Sequence, residues 1–363
     1  MRSIRISIAA IVSVLICIGI VMIYSSSGIY ALKELGEDTY FLNRHLLFLL
    51  IGCLFTFVIM FIDYRSLRGM AKPLILVSIL LLILVLIPQI GKASFGARRW
   101  FKLGPFSFQP SEFAKLAMMI YVADFLARKP NKICHLWKGF LPIILVLGVI
   151  SLLVLKQPDM GNAVLISCIV LIMLFLAGAK WQHLASLSLL SLPAVYLLIV
   201  HVPYRMRRIM SFWDPWEDAQ GVGFQLSQSQ IALGSGGITG VGLGQSFQKL
   251  FYLPAAHTDF IFSIIGEELG LIGTMAVIFL FGAFIWQGAR IAKRTTEPFG
   301  HFLSIGIVMM LGLQAVVNIG VSIGALPTKG LPLPFISYGG SALIFHMMAV
   351  GLLLNISRIQ DLS

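Results

Sequence analysis

Long, almost uninterrupted apolar runs constrain the fold of this chain more than any other feature. Of its 363 residues, 58% are hydrophobic and only 12% are charged, whereas a soluble domain carries about 25% charged residues. A hydrocarbon core of about 30 Å needs about 20 apolar residues for each helix that crosses it. The composition and the runs together predict an integral membrane protein.

Ten of these runs are long enough to cross a bilayer, and they are centred near residues 14, 52, 81, 119, 147, 170, 192, 275, 312 and 348. They are continuous rather than alternating, which favours helices that satisfy their own backbone hydrogen bonds in lipid over a β-barrel. The first run, residues 4–24, is longer than the apolar core of a cleaved signal and is expected to be a membrane helix. We predict an all-α fold: one domain, residues 1–363, with ten transmembrane helices and a large extracytoplasmic loop, about residues 202–259, between helices 7 and 8.

The basic residues indicate an orientation with both termini in the cytoplasm, because inner loops are usually richer in Lys and Arg. The bias is weak, since two outer loops are unusually basic: they hold Lys92, Arg98, Arg99 and Lys102, and Arg205, Arg207, Arg208 and Lys249. Such clusters on an outward face indicate binding of an anion, for which a lipid diphosphate is the obvious candidate. Attraction to anionic headgroups of the outer leaflet is the alternative. The net charge of +12 comes without a soluble basic domain, so nucleic acid is not an expected partner.

The loop at residues 202–259 is the long polar interruption of the apolar pattern, and chemistry is therefore expected there. Its glycines at residues 234–244 do not have the spacing of a dinucleotide or phosphate-binding loop, and they predict tight turns and close backbone packing instead. The loop ends on His257, Thr258 and Asp259, directly before an apolar run. Asp259 is either a helix cap or a carboxylate at the membrane surface that accepts a proton from a substrate hydroxyl.

A second candidate lies where the fourth run begins, at Gln109-Pro110-Ser111-Glu112 followed by Lys115. Proline and an acidic residue in the first turn are typical of a helix start, and Glu112 with Lys115 three residues later can be a structural pair. Lys115 nevertheless lies about one turn into the apolar run, where a charge costs about 2.5–3.5 kcal/mol unless it faces a cavity or a partner. A charged pair at the outer mouth of the bundle is therefore a site candidate.

The remaining polar features favour structural roles. Glu267 and Glu268 follow Asp259 within the next apolar run and are interpreted first as polar contacts inside the bundle. The four cysteines lie in or beside apolar runs, with no pair at metal or redox spacing, and are interpreted as packing residues.

Several motifs, taken in order along nearly the whole chain, resemble the SEDS (shape, elongation, division and sporulation) family of membrane proteins. A glycine-containing segment at residues 244–250 and Pro327-Thr328-Lys329-Gly330 are more similar to its division members than to its elongation members. One departure is Ala255, where the family usually has an acidic residue. The matching motifs are Gln109-Pro110-Ser111-Glu112, Trp213-Asp214-Pro215, Gly223-Phe224-Gln225, Gln228-Ser229, residues 231–237, Leu253-Pro254, residues 257–262, residues 266–270, residues 330–335 and residues 337–341.

The resemblance implies a peptidoglycan glycosyltransferase of the bacterial inner membrane that polymerises lipid II, the undecaprenyl-diphosphate-linked disaccharide pentapeptide, on the outer face during cell division. It also implies a class B penicillin-binding protein transpeptidase and other divisome proteins as partners. The family's essential aspartate corresponds to Asp259, which is expected to deprotonate the acceptor hydroxyl in one inverting displacement. A carboxylate with its ordinary pKa of about 4 is a weak base, so positioning is expected to lower much of the barrier.

The other candidate residues would support this reaction. Cations would stabilise the departing diphosphate, while a divalent cation, Mg²⁺ or Mn²⁺, stays open as an additional group with unassigned ligands, and Glu112 would pair with Lys115, hold that ion or orient sugar. A lipid II flippase, which needs charges at the membrane midplane, and a non-catalytic scaffold for a transpeptidase are the alternative functions. The candidate cations are Lys115, Arg98, Arg99, Arg205, Arg207, Arg208 and Lys329, and the further candidates are Gln109, Ser111, Gln225, Gln228, Ser229, His257, Thr258 and Ser337.

Overall fold

The computed structural model describes residues 1–94, 97–104, 106–129, 132–217, 221 and 223–361. Within these residues each of the ten apolar runs lies in one long helix, and two shorter helices, α8 (Pro203–Trp213) and α9 (Phe224–Ser235), lie in the long polar loop. A 3₁₀ turn, Tyr64–Ser66, precedes α3, and a π-helical turn, Leu136–Phe140, precedes α5. The long helices are α1 (Arg2–Leu35), α2 (Tyr40–Phe61), α3 (Leu67–Leu84), α4 (Pro110–Arg128), α5 (Leu141–Lys156), α6 (Met160–Leu176), α7 (Trp181–Val200), α10 (Ile261–Arg294), α11 (Pro298–Ser322) and α12 (Ser341–Ile359).

The composition and length of these helices identify a multi-pass membrane protein. Among the described residues, seven helical segments are long and apolar enough to span a bilayer: those of α1, α2, α3, α5, α10, α11 and α12, with the short turns before α3 and α5 included. On α2, Leu50, Leu54 and Phe57 are each exposed by 60% or more along one helix face. Large apolar side chains exposed at this spacing form a stripe that suits contact with lipid.

The all-α prediction describes the helix bundle, and the segment between α3 and α4 departs from it. Three short strands, β1 (Lys92–Ser94), β2 (Ala97–Leu103) and β3 (Phe106–Phe108), form an antiparallel sheet in the order β1-β2-β3. Phe101 of β2 lies opposite Phe108 of β3. Pairing between the strands satisfies backbone groups in a segment too polar to be a membrane helix.

The two ends of the helix bundle differ in character. At one end both termini meet, since Arg5 pairs with Asp361 at 3.2 Å, and Arg128 pairs with Asp124 at 2.6 Å. The opposite end, here called the loop end, carries the sheet and the segments 202–217, 223–260 and 323–340. These segments contact one another there, as when the backbone N–H of Tyr338 donates to the carbonyl of His257 at 3.0 Å.

Helix α10 is interrupted at Gly270, and the glycine-rich segment before it fills the break. Gly270 has φ 66° and ψ −161°, a backbone conformation that is essentially restricted to glycine. Around it the N–H of Leu271 donates to Gly237 O at 2.9 Å, and the N–H of Val241 donates to Glu267 O at 2.9 Å. The glycines therefore allow the close backbone approach expected from the sequence, and they satisfy backbone groups that the break would otherwise leave unpaired.

Buried charges fasten the same loop to the bundle. Lys249 pairs with Glu268 at 2.8 Å, and both side chains are almost completely buried. The hydroxyl of Ser25 on α1 also donates to Glu268, at 2.6 Å, while Glu267 accepts from the hydroxyl of Ser246. Glu267 and Glu268 thus have the structural role expected of them, and they fix the chain that leads into Asp259.

Substituting Gly270 by alanine is expected to destabilise the protein by at least about 2 kcal/mol, because the residue must hold a glycine conformation and a Cβ there would overlap the backbone nitrogen of Gly240. Gly282→Ala is the matched control on the same helix: no atom lies within 4 Å of its added Cβ, and alanine favours the helix. Thermal unfolding of the purified protein in detergent should show a lower Tm for Gly270→Ala only. Equal Tm values for the two variants would contradict the packing described above.

Candidate active site

Asp259 lies in a tight turn at the loop end, immediately before α10. The N–H groups of Thr258 and Asp259 both donate to the carbonyl of Ala255, at 3.0 and 3.1 Å. Phe260 occupies the N-cap position of α10, and no side chain caps that helix end. The side chain of Asp259, which is partly exposed, is therefore available for a role other than capping.

The surroundings of Asp259 change its acidity. Burial raises the pKa of Asp259 to about 6, and Asp159 acts in the same direction, whereas the cations Arg208 and Arg99 oppose the rise. The expectation of an ordinary pKa near 4 was therefore wrong. A carboxylate with a pKa near 6 is a stronger base, yet it is still largely ionised at neutral pH.

Arg99 and Arg208 are the predicted cations whose charges act on Asp259. Arg99, on β2, donates from Nε to the carbonyl of Gln157 at 2.9 Å and also to the carbonyl of Pro158. Arg208, on α8, donates from Nη1 to the carbonyl of Thr328 at 3.1 Å. The sheet and α8 thus bring positive charge to the carboxylate from segments distant in sequence.

The other predicted cations are placed differently. Side chains alternate between the two faces of a strand, and Arg98, next to Arg99 on β2, is exposed. Arg207 on α8 is also exposed. Lys329 is half-buried and lies next to Gly330, where an added Cβ would be 3.3 Å from Asp259 Oδ2. Arg205 belongs to α8, but its side chain lies outside the described residues.

A second carboxylate, Asp159, was missed in the sequence. It lies at the N-cap of α6 and accepts from Asn162 Nδ2 at 2.9 Å and from Gln109 Nε2 at 3.2 Å. Asn162 Nδ2 also lies 3.4 Å from Ser111 Oγ. The predicted residues Gln109 and Ser111 therefore support Asp159, Ser111 through Asn162. An Asp between two apolar runs is typical of a helix cap, and this signal could have identified Asp159 in the sequence.

Glu112 and Lys115 form the predicted pair, and it is completely buried. Lys115 Nζ lies 2.8 Å from Glu112 Oε1 and donates to Gln314 Oε1 on α11 at 2.9 Å. On α12, His346 Nε2 lies 3.8 Å from Glu112 Oε2, and neither of these two atoms has a hydrogen-bond partner among the described residues. The pair therefore joins α4 to α11 inside the bundle, and His346 of α12 lies beside it.

The residues flanking Asp259 are committed to local structure. The ring of His257 lies 4.5 Å from that of Phe41, and burial lowers the pKa of His257 to about 4, so this imidazole is neutral at physiological pH. The hydroxyl of Thr258 donates to Ala255 O at 3.2 Å. Ser337 accepts from the N–H of Leu333 at 2.8 Å, within its own turn.

Of the predicted residues on helix α9, Ser229 packs against neighbouring helices. The buried hydroxyl of Ser229 lies 2.6 Å from that of Ser263 and 2.7 Å from Ser322 O, which joins α9 to α10 and α11. Gln225 and Gln228 are half-buried on the same helix. Ser229 therefore lies in a helix interface, whereas Gln225 and Gln228 are partly exposed.

Two residues of α11, Gln314 and Asn318, were also missed. Gln314 Nε2 donates to Pro332 O at 2.8 Å, and Asn318 Nδ2 donates to the carbonyls of Asp259 and Leu331, each at 2.8 Å. Amide side chains four residues apart share one face of a helix. Polar groups are rare in an apolar run unless they are paired. The spacing of Gln314 and Asn318 could therefore have indicated that both residues bind a partner inside the bundle.

The residues around Asp259 do not form a metal centre by themselves. In the part of the chain that the structure describes, no three His, Cys, Asp or Glu side chains are grouped so that they could hold a metal ion. Asp259 has cations nearby, and the oxygens of Asp159 already accept hydrogen bonds. Mg²⁺ often binds one or two carboxylates together with substrate phosphates, so an ion at this site would have to be held largely by the diphosphate of the substrate.

Sequence relatives match this chain over nearly its whole length. The family model described as cell cycle protein, which joins FtsW, RodA and SpoVE, matches residues 5–362. A probable peptidoglycan glycosyltransferase FtsW of Geobacter metallireducens is 47% identical over 343 residues, covering 94% of this chain and 92% of that protein. Stage V sporulation protein E of Bacillus subtilis is 44% identical over 344 residues, covering 95% and 94%.

Solved structures share the fold. A chain from a peptidoglycan synthase complex that coordinates polymerization and crosslinking has a TM-score of 0.79 and 31% identity, with 100% of this chain and 99% of that chain covered. The rod shape determining protein RodA of Thermus thermophilus has a TM-score of 0.72 and 31% identity, with 97% and 96% covered. The resemblance found in the motifs is thus confirmed, and the chain belongs to the FtsW, RodA and SpoVE family of cell cycle proteins.

Proposed function

We propose that this chain is a peptidoglycan glycosyltransferase that polymerises lipid II into glycan strands at the outer face of the cytoplasmic membrane during cell division, with Asp259 as its catalytic base. The observation that carries this proposal is a partly buried carboxylate with a pKa raised to about 6, beside the cations Arg99 and Arg208. Perturbed carboxylates of this kind concentrate at active sites. The names of the sequence relatives support the same activity.

The proposed reaction is a single displacement. Asp259 accepts the proton of the acceptor GlcNAc 4-hydroxyl as this oxygen forms a bond to C1 of the donor MurNAc. The bond from C1 to the phosphate oxygen breaks, its electron pair leaves with undecaprenyl diphosphate, and the configuration at C1 inverts. The cations Arg99 and Arg208, whose charges act on the base, would stabilise the departing anion, and Arg98, Arg207 and Lys329 would add positive charge near them.

The proposed topology has ten membrane crossings, with both termini in the cytoplasm and the loop end outside. Besides the seven apolar spans, α6 has 17 residues, within the range of about 17–25 that can cross a bilayer. Helix α4 has 19 residues and pairs its own charges, Glu112 with Lys115 and Asp124 with Arg128, and α7 has 20 residues. Residues 1–363 would then form one domain, whose outer loop at residues 202–259 supplies the base.

The proposed partners are a class B penicillin-binding protein transpeptidase and other membrane proteins of the division septum. A peptidoglycan synthase complex that couples polymerization to crosslinking contains a chain with this fold, which supports a paired transpeptidase. A flippase or a scaffold would not need a raised carboxylate pKa at one end of the bundle. Catalysis accounts for that feature directly.

Asp259→Asn is expected to reduce the rate of polymerisation of purified lipid II at least about 100-fold, since loss of a general base costs about 10²–10⁴-fold. The Tm should not fall, because a carboxylate whose charged form is disfavoured by burial has been removed. Glu217→Gln, an exposed carboxylate of the same loop, is the control and should polymerise normally. Full activity of Asp259→Asn with the transpeptidase present would overturn the mechanism. If the unsubstituted protein moves labelled lipid II between leaflets without forming polymer, it is a flippase. If it does neither, it is a scaffold.

The pH dependence of kcat/KM should report the raised pKa of Asp259. The base works only when ionised, so kcat/KM is expected to be constant above about pH 6 and to fall tenfold per pH unit below it. Arg208→Gln should move this limb to higher pH, since the Arg208 cation favours the charged carboxylate. Lys33→Gln, an exposed cation on α1, should leave the limb in place. A limb near pH 4 in the unsubstituted protein would exclude Asp259 in these surroundings as the base.

Lys115→Met is expected to destabilise the protein by about 3–5 kcal/mol, because it leaves the carboxylate of Glu112 buried without its partner charge. The double variant Glu112→Gln/Lys115→Met removes both charges and should recover most of that loss. Unfolding of both variants in detergent measures the difference. A double variant as unstable as the single one would show that the ion pair is not the source of the effect.

A further inference from the structure

The carbonyl of Asp259 itself is held by a side chain from another helix. Asn318 on α11 is buried, and its Nδ2 donates both to Asp259 O and to Leu331 O, each at 2.8 Å. One amide group thus joins the turn that carries the proposed base to the segment 328–332. The two segments lie about 70 residues apart in sequence and have no covalent constraint between them.

The segment held by Asn318 is the one that faces the carboxylate. Gly330 lies against it, such that an added Cβ would be 3.3 Å from Asp259 Oδ2. Thr328, two residues earlier, accepts from Arg208 at 3.1 Å, and Lys329 lies between them. The separation between the proposed base and Arg208, which Thr328 anchors, therefore depends on how this segment is held against the turn.

Helix α11 extends this support one turn deeper. Gln314, four residues before Asn318, donates to Pro332 O at 2.8 Å and accepts from Lys115 at 2.9 Å. Lys115 is in turn paired with Glu112. Gln314 thus links the buried ion pair of α4 to Pro332, and Asn318 links the adjoining Leu331 to the backbone of Asp259.

We infer that Asn318 is a positioning residue of the transferase: its amide sets the distance between the Asp259 base and the segment 328–330, which carries Lys329 and anchors Arg208. This inference rests on the proposed function of Asp259. Asn318 touches no reacting atom and acts through the backbone of the base. A displacement of about 1 Å at a reacting group can cost about 100-fold in rate, so the loss of this amide should reduce catalysis.

Asn318→Leu tests the inference, since leucine is of similar size and cannot donate to either carbonyl. With the full chain in complex with its transpeptidase, kcat for lipid II polymerisation is expected to fall about 10- to 100-fold. KM should stay within about threefold, because the lost interaction affects the transition state rather than substrate binding. Asn318→Gln keeps both donors but places them one methylene further out, and it should show a smaller fall in kcat with the same KM.

Ser304→Ala is the matched control, a buried polar residue of the same helix whose hydroxyl has no partner among the described residues. Its kcat, KM and Tm should equal those of the unsubstituted protein. The Tm of each Asn318 variant is measured beside its rate, since a purely structural role would lower kcat only in proportion to the loss of folded protein. If Asn318→Leu is not recovered folded, Asn318→Gln decides the matter by the same split between kcat and KM.

An unsubstituted kcat in a folded Asn318 variant would overturn the inference, and so would a rate loss fully accounted for by unfolding. These outcomes are separate from failure of the proposed function. If Asp259→Asn is inactive while Asn318→Leu has normal kcat, only the positioning role is wrong. If Asp259→Asn still polymerises lipid II, the proposed base is wrong, and the positioning role falls with it.

Discussion

Backbone groups and charges that enter a bilayer are costly unless they find partners within the protein, and the rest of this structure depends on that constraint. It accounts for the buried pairs Glu112–Lys115 and Glu268–Lys249, each with oxygen and nitrogen 2.8 Å apart. It also accounts for the break at Gly270, where the glycine-rich segment supplies the missing backbone partners. Because of this constraint, polar residues of different segments pair with one another, and these pairs hold the loop end to the helix bundle.

Against this background Asp259 is distinctive, because its backbone is held by hydrogen bonds while its carboxylate does not cap the following helix. Burial makes the charged form less favourable, and Arg99 and Arg208 only partly offset that effect. The result is a rigidly placed group whose proton affinity lies near the working pH. A general base needs both properties, and here they come from the same packing.

Much of the fold was readable in the sequence, while the site was readable only in part. The apolar runs located the long helices, and Glu112 with Lys115 was recognised as a pair from its spacing. The three strands between α3 and α4 were missed, because two of them have only three residues and carry too little pattern to be distinguished from a loop. Asp159, Gln314 and Asn318 were missed as well, since each gains its role from a partner at least 13 residues away.

By itself the sequence determined that this chain forms a helix bundle in a membrane, and its motifs indicated Asp259. Both could be found because hydropathy and motifs are properties of consecutive residues. Only the tertiary structure decided which of the many candidate cations act on that carboxylate, that its pKa rises to about 6, and that His257 is neutral. Those outcomes depend on burial and on distances between remote segments. Neither quantity exists until the helices have packed.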